Sequence, residues 1–310
     1  MAARPAKLIG LLVVALLGSY ASAFVSLEAR ADQQPAQREG AQPTTSAPAR
    51  RVVSLVPNVT EMLFAVGAGS QVVGVSSYDD FPSDVKALPR VGALLDPDTE
   101  RILSLRPDLV IVYGSQSGVE GQFTRAGIHV YPYRHAGIES ILQAIRDVAR
   151  LTGHQADGDR VVRDLRARLE AVRMRVRGEQ RVRTMLVIGR DVGSLRGVYV
   201  SGGVGFLHEL LEIAGGDDVF GDITREAAQP STETMIVRAP QVIVELHPGE
   251  QPPAATLQKE RAVWNMLASV PAVRNGRVHL LYGSYLLAAG PRIGQAAEAL
   301  ARVLHPESRK

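Results

Sequence analysis

Cysteine is absent from this sequence of 310 residues. Its absence excludes disulfide bonds, thiolate metal sites, cysteine nucleophiles and the lipid-bearing cysteine of a bacterial lipoprotein. Aromatic residues make up only 5% of the chain, with a single Trp, so the chain lacks the interleaved aromatic and basic residues that bind single-stranded nucleic acids. The formal net charge is only +3, and two basic residues, Arg4 and Lys7, lie in a segment that we expect to be removed. We therefore predict no nucleic-acid partner.

Motifs for catalysis and for metal binding are also missing. The seven histidines form neither H-E-x-x-H nor H-x-H, and no pair is flanked by carboxylates at the spacing of metal ligands. The nucleophile motif G-x-S-x-G is absent, and the Gly-rich turn that begins at Ser201 lacks the Lys-Ser/Thr of a phosphate-binding loop. The sequence therefore predicts a protein that is not an enzyme, with no metal site and no cofactor of its own. A single His or Tyr could still bind the iron of a haem.

The amino terminus has the features of a secretory signal. Basic residues precede an apolar run at Leu8–Leu17, and a small Ala-Ser-Ala sequence ends at Ala23, so residues 1–23 are predicted to be cleaved near Ala23. The alternative is an uncleaved membrane anchor, because the mostly apolar Leu8–Val25 is close to spanning length. Residues 24–49 are rich in Ala, Gln and Pro, which predicts a disordered linker.

From residue 50 onward, short apolar runs alternate with amphipathic helical segments, which predicts an α/β fold. We place an N-terminal α/β lobe at residues 50–135, a C-terminal α/β lobe at 179–310, and a helical segment that connects them at 136–178. Seven arginines between His154 and Gly178 are interpreted as a solvated helix face. Predicted strands are Val52–Val56, Val72–Val75, Leu109–Tyr113, Ile128–Tyr133, Met185–Ile188 and Val278–Leu281. Predicted helices are Glu61–Val66, Gln116–Ala126, Ile138–Leu151, Gly205–Ala214, Arg261–Leu267 and Pro291–Leu304.

One pattern occurs twice, 133 residues apart. In Asp98–Tyr113 a capping residue, a Thr-Glu pair and a short helix are followed by a proline, which ends the helix, and by a continuously apolar strand. Ser231–Leu246 has the same order of features. Matching residues include Thr99 and Thr232, Glu100 and Glu233, and Pro107 and Pro240. The repeat predicts two similarly built lobes, each of which presents one Glu at a helix start.

Two sets of side chains are candidates for function. Tyrosines at strand ends or in loops, in both lobes, predict a shared aromatic-lined cleft, although each one alone could be a core or rim residue. These are Tyr78, Tyr113, Tyr199 and Tyr285. Glu100 and Glu233 could simply stabilise their helix dipoles. Their recurrence in both lobes favours two exposed docking points for a two-fold symmetric partner with basic sockets.

The sequences RVVSLVPNVTEMLFAVGAG, VVGVSSYDDFP and DTERILSLRPDLVIVY closely resemble the N-terminal lobe of periplasmic cobalamin-binding proteins. These belong to the helical-backbone (class III) solute-binding proteins of ABC transporters, which also serve ferric siderophores and haem. The likeness continues through FLHELLEIAGGDDVF, APQVIV and SYLLAAGPRIGQAAEAL and covers nearly all of residues 51–305. It implies two Rossmann-like α/β lobes joined by one long connecting helix, with the ligand cleft between the lobes.

The resemblance also implies a function. A monomer in the periplasm would capture a corrinoid and deliver it to the permease dimer of an ABC importer and its ATPase subunits; haem or a ferric siderophore are alternative ligands. Glu100 and Glu233 match the family's permease-docking residues. Residues matching the ligand cleft are Tyr78, Tyr113, Tyr199, Tyr285, Pro57 and Leu94. Leu94 and Ala227 stand where the cobalamin-binding pattern has Trp. From another class, a membrane-tethered envelope sensor or scaffold, or an envelope enzyme, remains an alternative.

Overall fold

Two β-sheets form the framework of the chain in the computed structural model, which describes residues 47–114 and 117–306. The predicted signal peptide and most of the predicted linker lie outside the described residues. Strands are β1 Val52–Ser54, β2 Val72–Val75, β3 Leu109–Tyr113, β4 His129–Tyr133, β5 Val182–Gly189, β6 Tyr199–Ser201, β7 Gly216–Asp218, β8 Ala227–Ala228, β9 Val242–His247 and β10 Val278–Tyr282. Helices are α1 Pro57–Ala65, α2 Thr99–Ser104, α3 Ser117–Arg125, α4 Ile138–Thr152, α5 Gln155–Arg175, α6 Phe206–Ile213, α7 Thr232–Arg238, α8 Ala254–Ala262, α9 Pro271–Arg274 and α10 Ile293–Leu304.

The first sheet has the strand order β2-β1-β3-β4, and its pairings are all parallel. The second sheet has the order β10-β9-β5-β6-β8; β5, β9 and β10 are parallel, whereas β6 and β8 are antiparallel to their neighbours. Strand β7 pairs with the beginning of β5. Strands β3 and β9 are buried along almost their whole length, as strands covered by helices on both faces should be. The predicted α/β architecture is confirmed.

Several predicted boundaries are wrong. The strand predicted at Val52–Val56 stops at Ser54, and the helix predicted at Glu61–Val66 begins four residues earlier. The cause is Pro57, whose fixed φ and missing N–H suit the first position of a helix. Helix α8 begins before the predicted Arg261–Leu267, whose remainder is a 3₁₀ turn. Strands β6, β7 and β8 were not predicted, because two or three residues carry no readable period.

The connecting segment consists of two helices, α4 and α5. Gly153 separates them in the left-handed conformation (φ 82°), and its N–H donates to carbonyl oxygens of the last turn of α4. Helix α4 packs on α1 of the first lobe, and α5 packs on α4, α6 and α10. The segment therefore contacts helices that flank both sheets. In the described ranges, no helix combines the length and apolar character needed to cross a membrane.

The two predicted repeat units begin in the same way. The carboxylate of Asp98 accepts a hydrogen bond from the amide of Arg101 (2.9 Å), and the hydroxyl of Ser231 accepts one from the amide of Thr234 (3.2 Å). Both residues are therefore N-caps at equivalent positions. One further pair of equivalent residues, Ile102 and Met235, is buried beneath the two helices.

The two units also end in the same way. Arg106 and Ala239 are the non-glycine residues with positive φ in the described part of the chain, at 47° and 46°, and they are equivalent. Guanidinium groups at the beginnings of β1 and β5 reach carbonyls at the ends of the two helices. Arg51 donates to Leu105 O, and Arg183 donates to Arg238 O (2.7 Å). These bonds satisfy carbonyls that a helix end leaves without partners, and they fix each short helix against its sheet.

We expect the variant Ala239→Gly to be more stable than the wild type, because a left-handed conformation costs a non-glycine residue roughly 1–2 kcal/mol. The gain should be about 1 kcal/mol, since glycine also has more freedom in the unfolded chain. Urea unfolding followed by circular dichroism measures it. The control Ala167→Gly, at an exposed position inside α5, should instead lose about 1 kcal/mol. A destabilised Ala239→Gly protein would contradict the left-handed ending of α7.

Candidate ligand-binding cleft

The predicted cleft residues lie at the carboxyl ends of parallel strands. Pro57 follows β1, Tyr78 follows β2, and Tyr113 is the last residue of β3, so all three are at one edge of the first sheet. Leu94 lies in a turn just after the segment that bonds to the end of β2. This is the edge at which open α/β sheets bind ligands.

The second sheet has the corresponding arrangement. Tyr199 begins β6 opposite Gly189, the last residue of β5, and Tyr285 follows the end of β10. Ala227, in β8, pairs with Ser201. The structure thus places two of the four predicted tyrosines at the carboxyl-end edge of each sheet.

Contacts between the two lobes bring these edges together. The hydroxyl of Tyr133, at the end of β4, donates to the carbonyl of Ala289 beyond β10 (3.1 Å). The carboxylate of Glu209, on α6, accepts a hydrogen bond from the amide of Ile138 at the start of α4 (2.8 Å). The carboxyl-end segments of the first lobe therefore contact the second lobe directly.

An aromatic cluster occupies this meeting place. Tyr113 lies edge-on to Tyr133 and to His135, with ring centroids 6.1 Å apart in both cases. His135 stacks on Tyr133 at 5.8 Å and lies edge-on to Phe206, the first residue of α6, also at 5.8 Å. Of the four predicted tyrosines, the described contacts place Tyr113 in this cluster, whereas Tyr78, Tyr199 and Tyr285 lie at the same edges outside it.

His135 is the polar member of the cluster. Burial lowers the pKa of its imidazole, so the ring is neutral at neutral pH. Its Nδ1 atom is buried and has no hydrogen-bond partner in the described structure. The sequence analysis missed His135 and Tyr133, although their position immediately at the end of a predicted strand is the signal that identified Tyr113.

An ion pair with a buried carboxylate joins the lobes. Arg292, which precedes α10, binds both oxygens of Glu61 on α1, at 2.5 and 2.8 Å. Its guanidinium also donates to the hydroxyl of Ser284 and lies 3.9 Å from the ring centroid of Phe81. Burial raises the pKa of Glu61, and the hydrogen bonds and charge of Arg292 oppose that rise. No sequence signal links Glu61 to Arg292, because 231 residues separate them.

Asp79 is a second buried carboxyl group, next to Tyr78. It is 4% exposed, and neither carboxylate oxygen makes a hydrogen bond within the described structure. The guanidinium of Arg90 instead donates to the backbone carbonyls of Ser76 and Asp79 (2.9 and 2.7 Å) and so holds the loop. Burial raises the pKa of Asp79 to about 7, and the positive charge of Arg90 opposes that rise.

The carboxyl end of β9 carries a third polar group. Glu245 is 1% exposed and binds Arg190 and the indole N–H of Trp264, at 2.9 and 3.0 Å. Burial acts to raise the pKa of Glu245, but His247, Arg190 and Trp264 together hold it below its usual value. His247 stacks on Tyr282 at 4.5 Å. This network fixes two partly exposed rings at the edge of the second sheet.

Glu100 and Glu233 are exposed in the first turns of α2 and α7. Neither forms an ion pair with another residue of the described chain. The backbone N–H of Glu233 and the hydroxyl of Ser231 lower the pKa of the Glu233 carboxyl, which keeps it ionised. Both carboxylates are thus available to a cationic partner.

Two surface depressions lie elsewhere. One, of about 610 Å³, lies between α4, α5 and α6 and is lined by apolar residues such as Leu142 and Leu169 with charged residues at its rim. Another, of about 470 Å³, lies beside Phe64 on α1. None of the predicted cleft residues lines either of them. In the described ranges, no group of three or more His, Asp and Glu side chains is arranged to hold a metal ion.

Comparisons with known proteins agree with this architecture. The family model for periplasmic binding proteins matches residues 52–285. The vitamin B12-binding protein of Yersinia pestis (strain Pestoides F) is 30% identical over 198 residues, which are 63% of this chain and 69% of the relative. The periplasmic vitamin B12 binding protein BtuF of Vibrio cholerae superposes with a TM-score of 0.71 at 24% identity, over 85% of this chain and 99% of that one. The apo form of the periplasmic heme-binding protein RhuT from Roseiflexus sp. RS-1 superposes with a TM-score of 0.70 at 28% identity, over 84% of this chain and 100% of that one.

The raised pKa of Asp79 predicts a pH-dependent stability. Because the folded state favours the protonated acid, folding is stabilised below the ordinary pKa of 3.8 and loses this stabilisation as pH rises towards about 7. The loss amounts to at most about 4 kcal/mol, at 1.36 kcal/mol for each pKa unit. We expect Asp79→Asn, which resembles the protonated acid, to match the wild type near pH 4 and to exceed its stability at pH 8.

The measurement is the free energy of unfolding in urea across this pH range. The matched control is Asp84→Asn, an exposed carboxyl group on the same loop, whose difference from the wild type should not grow with pH. Equal pH profiles for Asp79→Asn and the wild type would show that Asp79 is ionised in the folded state at neutral pH.

Proposed function

The chain belongs to the periplasmic binding protein family, and from this premise we propose that it captures a corrinoid in the periplasm and delivers it to the permease of an ABC importer. The proposed partner is the importer's permease dimer with its ATPase subunits, and the protein acts as a monomer. Cleavage near Ala23 would release the mature chain into the periplasm. Family membership favours this reading over an envelope enzyme, sensor or scaffold, because members of the family bind and release solutes.

The observation that carries the proposal is the pairing of two features in each lobe. Each sheet presents tyrosines at its carboxyl-end edge. Each lobe also presents one exposed Glu in the first turn of a short helix. A cleft with two aromatic walls suits a large, planar, largely apolar ligand, whose surface is buried against the rings while a few polar groups set its orientation. Two equivalent carboxylates suit a partner that is itself two-fold symmetric.

A corrinoid is proposed first because a relative that is 30% identical is a vitamin B12-binding protein. Haem is the second candidate, and one observation favours it. His135 offers a neutral imidazole with a buried, unpartnered Nδ1 at the meeting place of the lobes, and a neutral imidazole nitrogen is a ligand for haem iron. Leu94 and Ala227, in place of Trp, also remove two aromatic faces from the cobalamin-binding pattern.

The ligand is tested by calorimetric titration of the mature protein with cyanocobalamin, haemin and a ferric siderophore. We expect saturable binding of cyanocobalamin to the wild type. We expect Tyr113→Ala and Tyr199→Ala each to lower the affinity about tenfold or more, because each variant loses one aromatic ring of the cleft. His129→Ala, an exposed residue at the opposite end of β4, is the control and should bind as the wild type does.

Three outcomes would contradict the proposed corrinoid ligand. Binding of haemin alone, with loss of its Soret shift in His135→Ala, would replace the corrinoid by haem. Binding of the ferric chelate alone would move the protein to the siderophore group of the family. Absence of binding for all three would contradict the proposed transport of these ligands.

Docking is tested by charge reversal. We expect Glu100→Arg/Glu233→Arg to abolish ligand uptake by cells while ligand affinity stays unchanged, because both carboxylates lie outside the cleft and would then repel basic sockets. Asp164→Arg, an exposed reversal on α5, is the control and should support uptake. Normal uptake with the double variant would show that the two carboxylates do not dock the permease.

A further inference from the structure

Large apolar side chains are exposed beside both proposed docking carboxylates. Of the ten large hydrophobic residues that are exposed in the described chain, four lie on or next to α2 and α7. They are Leu95, Leu103, Ile236 and Val237. A single exposed apolar residue is ordinary on a protein surface. Several of them near two carboxylates that are repeated in the sequence indicate a surface with a function.

Leu103 and Ile236 occupy equivalent positions, 133 residues apart, three residues after Glu100 and Glu233. Residues at i and i+3 of a helix lie on the same face, so each carboxylate has an aliphatic neighbour on its own surface. The exposed fractions of the two side chains are nearly equal, at 41% and 39%. The two lobes therefore present the same pair of groups in the same orientation.

Each lobe adds one more exposed aliphatic side chain, but at a different place. In the second lobe Val237, 80% exposed, follows Ile236 and lies at i+4 from Glu233. In the first lobe the equivalent residue is Ser104, and Leu95, 76% exposed, lies in the turn before α2 instead. The carboxylate and its helical neighbour are thus common to both surfaces, whereas the additional apolar contact distinguishes one lobe from the other.

We propose that each Glu is the charged centre of a mixed docking patch that binds a cation beside an apolar depression. The first patch consists of Glu100, Leu103 and Leu95, and the second of Glu233, Ile236 and Val237. The occupant is the two-fold related outer surface of the permease dimer, so this inference rests on the proposed function. A second copy of the chain is not the occupant, since a symmetric contact through either patch would oppose like charges.

The two kinds of group act differently in such a contact. An exposed carboxylate speeds and orients the encounter with a basic partner, and salt screens it. Burial of aliphatic surface excludes water, strengthens the formed complex and is not screened. The docked complex should therefore retain an affinity at high salt that depends on Leu103 and Ile236 and not on the two carboxylates.

The test measures binding of the protein to the source bacterium's Fe/cobalamin-type ABC importer, purified in lipid nanodiscs, at low and high salt. We expect Leu103→Ser/Ile236→Ser to bind about tenfold more weakly or worse at both salt concentrations, through faster dissociation. Ligand affinity and the circular dichroism spectrum should stay unchanged. The matched control is Met174→Ser/Met266→Ser, two residues that are 51% and 77% exposed outside the patches, and it should bind as the wild type does.

The outcomes separate this inference from the proposed function. If Glu100→Arg/Glu233→Arg abolishes binding while Leu103→Ser/Ile236→Ser binds like the wild type, the apolar part of the patches is wrong and docking by the carboxylates stands. If the wild type does not bind the importer at either salt concentration, the proposed function itself fails. Should the serine variant lose ligand affinity, Leu103→Ala/Ile236→Ala, which keeps helix propensity, takes its place, and unaltered importer binding by that variant would overturn the inference.

Discussion

The ion pair between Glu61 and Arg292, together with the hydrogen bond from Tyr133 to Ala289, joins the two lobes. The Glu61 side chain is buried and that of Arg292 is only 11% exposed, and the two-pronged geometry recovers part of the cost of removing these charges from water. Removal of either partner would leave an uncompensated buried charge, which typically costs about 3–5 kcal/mol. Because α1 begins at the carboxyl end of β1 and α10 follows the carboxyl end of β10, this pair fixes the two binding edges to each other at one point.

Hydrogen bonds to backbone groups likewise hold the two short helices that carry Glu100 and Glu233. Helices α2 and α7 are too short to be stable alone, and each is held at both ends: by an N-cap at Asp98 or Ser231, and by Arg51 or Arg183 at its carbonyls. The exposed positions of Glu100 and Glu233 follow from these contacts, since Ile102 and Met235 turn one face of each helix into the core. Permease docking, as proposed, would thus depend on residues that never touch the permease.

The sequence was informative where the signals are local. Caps, prolines and apolar runs revealed the repeated unit at Asp98 and Ser231, and the four tyrosines were recognised by their positions at strand ends or in loops. The sequence did not predict contacts between residues far apart in the chain, or strands of two or three residues. Nothing in the sequence around Glu61 points to Arg292, and β6 to β8 are too short for a period to be read. His135 escaped because the importance of a histidine depends on its burial, which only the packed structure shows.

The loop after β2 connects ligand recognition to the contact between the lobes. Within four residues it carries Tyr78, a proposed cleft wall, the buried Asp79, and Phe81, whose ring lies against Arg292. Arg90 holds the loop by its carbonyls and leaves the Asp79 carboxyl without a hydrogen bond. A ligand that moved Tyr78 would therefore act against Arg90 on one side and the Glu61–Arg292 pair on the other. The binding of a ligand against Tyr78, as proposed, would then be coupled to the position of the lobes.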